Sequence, residues 1–398
     1  MTTIGLLREE KKPQDNRVAL TPLQCKCIME HYTNMNIIVQ SSPNRCYTDE
    51  EYMQMGIPVT ENMSNVDILL GIKEVPPEKI ITYKNYFLFS HTKKEQMHNQ
   101  QMFHVMIDKK ITLTDYECLT HDDGQRILGF GFFAGVVGAH NGIMAYGKRT
   151  GLYQLKRIKG LSLNALVHLY FGLKLPPIKI VITGSGRVAK GIIEVMNVMD
   201  IQEVEPEEYL TQTFQYPVYI QLKGADLYQH KIQRNYIRKD FHTHPTQYNC
   251  LFSPYIKCTD ILMNGIYWDE HIPRLFTMKD LQQPYFHIQT IADITDDVNG
   301  SIPCNLGDST IDDPVYGVDK ITGCKTKPYL PNSIDIMSVG NLPNEMPRDA
   351  SRYFGEQFMK YILEEILKKD STIIKRATIL NKGHLTEAFQ YLGNYAKH

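Results

Sequence analysis

The sequence has almost no surplus of charge of either sign. Its 398 residues include 43 lysines and arginines against 44 aspartates and glutamates, which gives a formal net charge of −1. A balance of this kind creates no long-range field that would attract nucleic acid or an anionic lipid surface. Neither nucleic acid nor a membrane is therefore predicted as a partner, and a small molecule is predicted instead.

Long apolar runs are also missing. No stretch of the sequence approaches the roughly 20 residues that a membrane-spanning helix requires. The N-terminal segment MTTIGLLREEKK reaches its charged residues too soon for a signal peptide. We therefore expect a protein that works in the cytoplasm.

Metal-binding motifs are not found either. Eight cysteines are scattered along the chain, and only Cys25 and Cys27 are close in sequence. They lack the two-residue spacer and the second pair of a zinc motif, and His230, His242 and His244 match no ligand spacing. We predict reduced cysteines and no metal site.

What the sequence does contain is a regular alternation of strands and helices. The first third has apolar strand patterns such as TIGLLRE, NIIVQSS, VDILLGIKE and YFLFSHT, separated by helical segments. A glycine-rich stretch at 134–150 has small residues at helical spacing, which predicts a long helix packed closely on a neighbour. A second alternation begins with an apolar strand at 178–183. The pattern and length predict an α/β protein with two Rossmann-like domains and mainly parallel sheets.

The segment after the strand at 178–183 fits a dinucleotide-binding turn. It precedes a predicted helix, and its residues are Gly184, Ser185, Gly186, Arg187, Val188 and Ala189. In such a turn the first glycine makes the tight bend, the second lets the backbone approach a pyrophosphate, and the helix N-terminus faces the phosphates. The alternative is a tight strand-to-helix turn without a ligand.

An acidic residue is expected about 20 residues beyond such a turn, where it binds the ribose. Glu205 stands near that distance, at the predicted end of a strand, and favours NAD over NADP. The competing interpretation is a solvated acidic cluster that also includes Glu203.

The segment DILLGIKEVPP, residues 67–77, has the pattern of a buried strand that ends in two charges, Lys73 and Glu74. Charged residues at strand ends often simply reach water. The pattern alone leaves open whether this pair has a chemical role.

Several segments together resemble one family of dehydrogenases. LREEKKPQDNRVALTP, GIKEVP, FSHTKKEQ and FGFFAGVVGAHNG resemble the saccharopine dehydrogenases and the alanine dehydrogenases. CTDILMNGIYWDEHIPRLFT, ADITDDVNGSIPC and NLPNEMPRDASRYFGE resemble the lysine–2-oxoglutarate reductase part of the animal bifunctional enzyme. The resemblance extends from residue 4 to about residue 370.

This resemblance implies an architecture and a reaction. Residues 1–135 and 332–398 would form a catalytic domain, residues 136–331 a dinucleotide-binding Rossmann domain, and the active-site cleft would lie between them. The reaction implied is the NAD(P)H-dependent condensation of L-lysine with 2-oxoglutarate to saccharopine, or its reverse. Because the bifunctional enzyme continues into a second dehydrogenase, we expect the present chain to be monofunctional.

The resemblance assigns the proton transfers to Lys73 and His91. A lysine acts as a base only when burial or neighbours lower its pKa from about 10.4, and a half-buried strand end can do so. Glu74 and Glu117 oppose this by favouring the charged form. Histidine suits the carbinolamine step because its ordinary pKa lies near neutrality. Without the resemblance, His91 would be interpreted as a core or strand-end histidine.

Saccharopine carries three carboxylates, so its site requires fixed cations and hydrogen-bond donors. By resemblance, Arg17 and Arg126 bind carboxylates, and Gln96 and Phe130 make further substrate contacts. Ordinary salt bridges are the alternative role of the two arginines. Gln125 stands where fungal members have a further arginine, so that contact is not carried over.

On the cofactor side, the resemblance places Asp293 beside the nicotinamide and Trp268 in a loop that crosses the cleft. Fungal members use NAD and the animal reductase uses NADPH, so the cofactor is NAD or NADP. We predict NADPH, with Arg187 accepting the 2′-phosphate despite the charge of Glu205.

Two other functions are compatible with the sequence. An alanine dehydrogenase would use the same lysine and histidine on a small amino acid. A non-catalytic dinucleotide-binding regulatory protein would keep only the fold. Retention of Lys73, His91, Arg17 and Arg126 argues against the regulatory protein, because a sensor has no need of proton-transfer groups.

Overall fold

The computed structural model describes residues 1–397 and divides the chain into two compact units. The first unit combines Met1–Phe130 with the residues from Pro347 onward, and the second is Gly131–Met346. The boundaries predicted from sequence differ from these. A boundary after residue 135 would cut the helix Gly131–Thr150, and one after residue 331 would remove the strand Ser333–Met337 from its parallel neighbour Thr290–Asp293.

The N-terminal part of the first unit alternates strands and helices. Its elements are β1 (Thr2–Leu6), α1 (Pro22–His31), β2 (Met35–Gln40), α2 (Asp49–Gln54), β3 (Val59–Thr60), β4 (Ile68–Leu70), β5 (Asn85–Leu88), α3 (Gln100–Asp108) and β6 (Thr112–Asp115). Capping boxes begin α1 and α2, because Thr21 and Thr48 accept hydrogen bonds from the backbone three residues later. Short 3₁₀ turns lie at Pro77–Lys79, Thr92–Lys94, Met97–Asn99 and Tyr116–Cys118.

The second unit repeats this alternation. Its elements are α4 (Gly131–Thr150), α5 (Leu163–Tyr170), β7 (Lys179–Thr183), α6 (Arg187–Val198), β8 (Gln202–Glu203), α7 (Pro206–Thr211), β9 (Val218–Leu222), β10 (Tyr228–His230), α8 (Arg238–Thr243), β11 (Tyr248–Cys250), β12 (Ile261–Asn264), α9 (Met278–Leu281), β13 (Thr290–Asp293), β14 (Val315–Asp319), β15 (Lys325–Thr326) and β16 (Ser333–Met337). Further 3₁₀ turns lie at Gly224–Asp226, Pro245–Gln247, Ser253–Lys257 and Leu342–Glu345.

The C-terminal part returns to the first unit. It contains α10 (Pro347–Tyr361), α11 (Leu363–Leu367), α12 (Thr372–Ala377), β17 (Thr378–Asn381), β18 (His384–Leu385) and a 3₁₀ segment at Glu387–Gly393. Strand β17 pairs antiparallel with β6, so the C-terminal residues complete the first sheet.

Both units contain a mainly parallel eight-stranded sheet, which confirms the predicted α/β class. In the first sheet, β3, β2, β1, β4, β5 and β6 are parallel neighbours, and β17 and β18 extend the edge antiparallel. In the second, β8, β9, β7, β12, β13 and β16 are parallel neighbours, and β14 and β15 extend the edge antiparallel. Strands β10 and β11 form a separate antiparallel pair.

The predicted glycine-rich helix is confirmed as α4, which begins at Gly131. It packs against α6 without room for side chains at the contact. A Cβ atom at Gly135 would collide with the carbonyl oxygen of Val188, and one at Gly191 would collide with that of Phe132. The two helix backbones therefore touch, which fixes α6 and the turn that precedes it.

Among residues 1–397, no helix has both the length and the apolar character needed to cross a bilayer. The cytoplasmic location stays a prediction.

Candidate active site

The candidate proton-transfer residues of the first unit lie at the carboxyl ends of its parallel strands. Lys73 and Glu74 follow β4, His91 follows β5, and Glu117 follows β6. Because β4, β5 and β6 are consecutive neighbours in the sheet, their carboxyl ends lie along one edge, where open α/β sheets bind ligands. The strand β4 is shorter than predicted, so Lys73 belongs to the loop beyond it.

Lys73 is a half-buried lysine with a lowered pKa. Burial, and then the positive charge of Arg17, lower the pKa of Lys73 to about 8. The charge of Glu74 acts in the opposite direction. Within residues 1–397, no carboxylate forms an ion pair with the Lys73 ammonium group. A lysine in this environment can give up its proton near neutral pH.

Glu74 is held by donors other than Lys73. Its Oε1 lies 2.6 Å from His91 Nδ1 and accepts a hydrogen bond from Asn99 Nδ2 at 3.1 Å, and its Oε2 accepts one from Lys11 Nζ at 2.8 Å. Burial raises the pKa of Glu74, but His91 and Lys11 outweigh it and hold the pKa below its usual range. With Nδ1 of His91 facing a carboxylate, Nε2 is the nitrogen left to exchange a proton with a substrate.

Arg17 is fixed by a buried contact that sequence reasoning missed. Its guanidinium forms a double hydrogen bond with Asp15, at 2.9 Å from Nε and 2.5 Å from Nη2. The same guanidinium lies 4.2 Å from the centre of the Phe130 ring, which stacks on Phe354 at 4.7 Å. Asp15 lies two residues before Arg17 in the segment LREEKKPQDNRVALTP, but only the fold shows that the two side chains meet.

Arg126 and Glu117 form an ion pair at 3.2 Å, with the arginine side chain 42% exposed. The backbone amide of Glu117 donates to Asp115 Oδ1 at 2.7 Å, which holds the turn after β6. Glu117 was expected to act on Lys73. The structure gives Glu117 an ion pair with Arg126, and its action on Lys73 stays a prediction.

Gln96 lies in a loop that the C-terminal residues hold in place. The hydroxyl group of Tyr395 donates to the carbonyl oxygen of Gln96 at 2.7 Å, and that of Tyr391 donates to Lys93 O at 3.0 Å. The loop is compact, since His91 and Glu95 both have left-handed backbone conformations.

In the second unit, the glycine turn has the geometry predicted for it. Gly184 has a φ of +98°, and a Cβ there would lie 2.7 Å from the carbonyl oxygen of Gly265. No atom lies within 4 Å of the position of a Cβ at Gly186, so the backbone is open on that side. Ser185 is exposed, and Arg187 and Val188 begin α6, whose first amide groups have no partner within the helix. These features fit the approach of a pyrophosphate.

The strand order changes which residue lies beside this turn. Strand β9 is inserted between β7 and β8, so β8 is the edge strand. Glu205 follows β8 and caps α7, in a reciprocal capping box with Glu208. It therefore follows a strand, as predicted, but that strand is the edge strand and not the neighbour of β7. Lys223 is the residue directly after β9.

Lys223 is exposed, and within residues 1–397 its ammonium group forms no ion pair. Lys223 was not identified from the sequence, because the ribose-binding residue is expected at a distance of about 20 residues beyond the glycine turn. Which residue lies beside that turn depends on the order of the strands in the sheet, not on distance along the chain. The only local signal was the apolar segment VYIQL before Lys223.

Asp293 ends β13 and is completely buried. Its carboxylate accepts hydrogen bonds from Asn264 Nδ2, Asn305 Nδ2 and Thr295 Oγ1, each at 2.8 Å. Burial raises the pKa of Asp293, and the three donors counteract it. The carboxylate therefore ties together the loops at the carboxyl edge of the sheet.

Trp268 closes its own loop. Its indole N–H donates to the carbonyl oxygen of Ile272 at 2.8 Å, and its ring lies 5.6 Å from the guanidinium carbon of Arg274. Elsewhere, His230 is buried and hydrogen-bonded to Gln247. In the part of the chain from 1 to 397, no group of three or more histidine, cysteine or acidic side chains could hold a metal ion.

The fold defines the class of the protein. Residues 5–137 match the family model for the alanine dehydrogenase/PNT N-terminal domain. A solved L-alanine dehydrogenase matches the structure with a TM-score of 0.66 at 15% identity, covering 100% of both chains. The fold is therefore that of the alanine dehydrogenases.

Sequence relatives narrow this class. The mitochondrial alpha-aminoadipic semialdehyde synthase of Rattus norvegicus is 28% identical over 98% of this chain and 47% of its own length. The saccharopine dehydrogenase (NAD⁺, L-lysine-forming) of Emericella nidulans is 26% identical over 93% of this chain and 94% of its own. The chain thus spans about half the length of the synthase relatives. These homologues confirm the resemblance inferred from the motifs.

Proposed function

We propose that the protein is a pyridine-nucleotide-dependent oxidoreductase that condenses L-lysine with 2-oxoglutarate to saccharopine, or catalyses the reverse reaction. The observation that carries the proposal is the half-buried Lys73, with its pKa lowered to about 8, beside the His91–Glu74 pair. The homology to saccharopine dehydrogenases and to the semialdehyde synthases supports the choice of substrates.

The proposed chemistry divides the proton transfers between two groups. Neutral Lys73 accepts a proton from the substrate amine, and His91 donates one to the carbinolamine oxygen as water leaves. Glu74 is a positioning residue, because its hydrogen bond to Nδ1 orients the imidazole ring. A bound nicotinamide cofactor would supply the hydride.

The substrate carboxylates require cations. Arg17 is proposed to bind one of them, because Asp15 and the Phe130 ring hold its guanidinium in a single orientation. Arg126 is proposed to bind another, with Glu117 as its resting partner. Gln96 is proposed as a further substrate contact.

For the cofactor, we propose NADPH. The glycine turn at Gly184 and Gly186 would hold the pyrophosphate, and Asp293 would lie on the nicotinamide side. Lys223 follows the strand beside the turn, which is where the residue that recognises the adenosine ribose stands in this fold. An exposed lysine there favours a 2′-phosphate. Arg187 at the helix start can add a second positive charge.

The test is oxidation of NADPH or NADH by the purified protein with pairs of substrates. Lysine with 2-oxoglutarate should be the best pair, and Lys79→Met, at an exposed site in the same segment, serves as the matched control for Lys73→Met. Comparable turnover with pyruvate and ammonia would move the assignment to an alanine dehydrogenase. Binding of the nucleotide without turnover of any pair would favour the regulatory protein.

A further inference from the structure

Glu9 is a titratable residue in the first unit that the proposed chemistry does not use. It lies three residues beyond β1, at the carboxyl edge where Lys73 also lies. Its Oε1 accepts a hydrogen bond from the backbone amide of Ile72 at 2.6 Å, and its Oε2 accepts one from the amide of Lys73 at 2.8 Å.

The hydrogen bonds of Glu9 lie just beyond the point where the backbone hydrogen bonds between β1 and β4 end. The last backbone bond from the β1 side runs from the Leu7 amide to Leu70 O at 2.9 Å. On the other side, Ile72 remains bonded to the chain after β5, through the Phe89 amide at 3.0 Å. The amides of Ile72 and Lys73 have lost a neighbouring strand on the β1 side, and the Glu9 side chain satisfies both of them.

The placement of Glu9 is costly, which argues for a specific role. Burial, and then the negative charge of Asp15, raise the pKa of Glu9 to about 8, although the two amides and Arg17 counteract this. Within residues 1–397 Glu9 forms no ion pair, so its carboxyl group is devoted to the two backbone amides. A carboxyl group in such surroundings is retained only where its hydrogen bonds matter.

We propose that Glu9 is a positioning residue for Lys73: its carboxyl group clamps the Ile72 and Lys73 amides and holds the lysine side chain in its half-buried place. The proposal rests on the proposed function for the role of Lys73. Whether the clamp exists can be tested separately from the proposed function, because the clamp determines whether the Lys73 ammonium group reaches water.

The test compares Glu9→Gln and Glu9→Asp with Glu10→Gln. Glutamine keeps the size but turns an NH₂ group toward a backbone amide, and aspartate is too short to reach both amides. Glu10 is the matched control, because it is adjacent but forms a salt bridge with Arg8 at 3.1 Å.

The readout that needs no turnover is the pH dependence of Lys73 labelling by an amine-reactive reagent, followed by peptide mass spectrometry. In Glu9→Gln, a released Lys73 reaches water, and its apparent pKa should rise toward the ordinary value. The Glu10→Gln variant should leave it unchanged. Where the wild type turns over, kcat should fall about 10- to 100-fold in Glu9→Gln, with KM for the nucleotide unchanged.

A folded Glu9→Gln protein whose Lys73 labelling profile is unchanged, or shifts to lower pH, would overturn the proposal. A shift to lower pH is not the signature of a released side chain. If Glu9→Gln does not fold, the same measurement is made on Glu9→Asp, and an unchanged labelling profile or a shift to lower pH again overturns the proposal. If the wild type oxidises no nucleotide with lysine and 2-oxoglutarate, the proposed function fails, and the labelling profile still decides whether the clamp exists.

Discussion

Both units have parallel strands with an antiparallel pair added at one edge, yet the residues at the carboxyl ends of those strands differ in kind. In the first unit they are ionisable side chains, led by Lys73, Glu74 and His91, and burial together with neighbouring charges shifts the pKa values of Lys73 and Glu74. In the second unit they are glycines and a buried amide network around Asp293. The same architecture therefore presents ionisable side chains in one unit and an open backbone in the other.

This difference predicts separable effects on chemistry and on cofactor binding. Substitutions in the first unit should change kcat and its pH dependence. Substitutions in the second should change the affinity for the nucleotide. A substitution in either unit that changed kcat and nucleotide affinity equally would show that the two units do not have separate roles.

The largest effect is expected from Lys73→Met. Loss of a general acid–base group should lower kcat by about 10²- to 10⁴-fold. The dissociation constant of the nucleotide should stay within about twofold, because the side chain belongs to the other unit. Steady-state kinetics and nucleotide fluorescence measure the two quantities. Lys79→Met is the control. Near-normal turnover of Lys73→Met would show that Lys73 is only a charged residue beyond a strand, with no role in proton transfer.

The same lysine sets a pH dependence in the wild type. In the oxidative direction Lys73 must be neutral to accept a proton, so kcat should rise as the pH passes about 8, the lowered pKa of Lys73. The Lys73→Met variant should lose this rise. A rise centred above pH 10 in the wild type would contradict the burial of the lysine.

The next largest effect is expected in the glycine turn. Gly184→Ala should lower both stability and nucleotide affinity, since the positive φ alone costs about 1–2 kcal/mol and the new Cβ meets Gly265 O. Gly186→Ala should leave the melting temperature unchanged, because its Cβ meets nothing, but should weaken nucleotide binding about tenfold or more. Thermal unfolding measures the stability of the two variants, and nucleotide titration measures their affinity. Unchanged affinity in Gly186→Ala would favour a turn without a ligand.

A smaller effect, on cofactor choice, is expected from Lys223→Ser. Loss of a charge-assisted hydrogen bond should lower the ratio of kcat/KM for NADPH over NADH about tenfold or more. Glu205→Gln is the matched control and should not change the ratio, because Glu205 caps α7 beyond the edge strand. A strong NADH preference in the wild type that Glu205→Gln reverses would instead show that Glu205 recognises the ribose, as its distance from the glycine turn predicted.

The last effect is a fall in stability as the pH rises toward 8. Glu9 has its pKa raised from 4.5 to about 8, so the folded protein keeps a proton that the unfolded chain releases, and the free energy of unfolding falls as the pH rises between these values. Lys73 has its pKa lowered from 10.5 to about 8, so its own contribution to stability rises between pH 8 and 10.5. Burial raises the pKa of the Cys25, Cys118 and Cys304 thiols, and their contributions fall over the upper part of the same range. Asp296 of the second unit, with its pKa raised to about 8 by burial, adds to the decline.

Urea unfolding across this pH range measures the effect. Glu9→Gln should reduce the decline below pH 8 but not abolish it, because Asp296 remains. Lys73→Met should lose the Lys73 contribution, so above pH 8 the free energy of unfolding of this variant should fall more steeply with pH than that of the wild type. Glu10→Gln should change neither slope.

The sequence by itself determined the features that depend on neighbours in the chain. The alternation of apolar strands and helices predicted two mainly parallel sheets, because burial on both faces requires apolar strands. The spacing of small residues predicted α4 and its close contact. The turn from Gly184 to Val188 was found because a tight bend with a positive φ requires glycine.

Only the tertiary structure decided the features that depend on which strands are neighbours. The insertion of β9 beside β7 puts Lys223, rather than Glu205, next to the glycine turn. The pairing of β16 with β13 moves the unit boundary past residue 331. The lowered pKa of Lys73 likewise arises from burial and from Arg17, more than fifty positions away in the chain. Strand order and burial are set by contacts between distant segments, and no spacing along the chain records them.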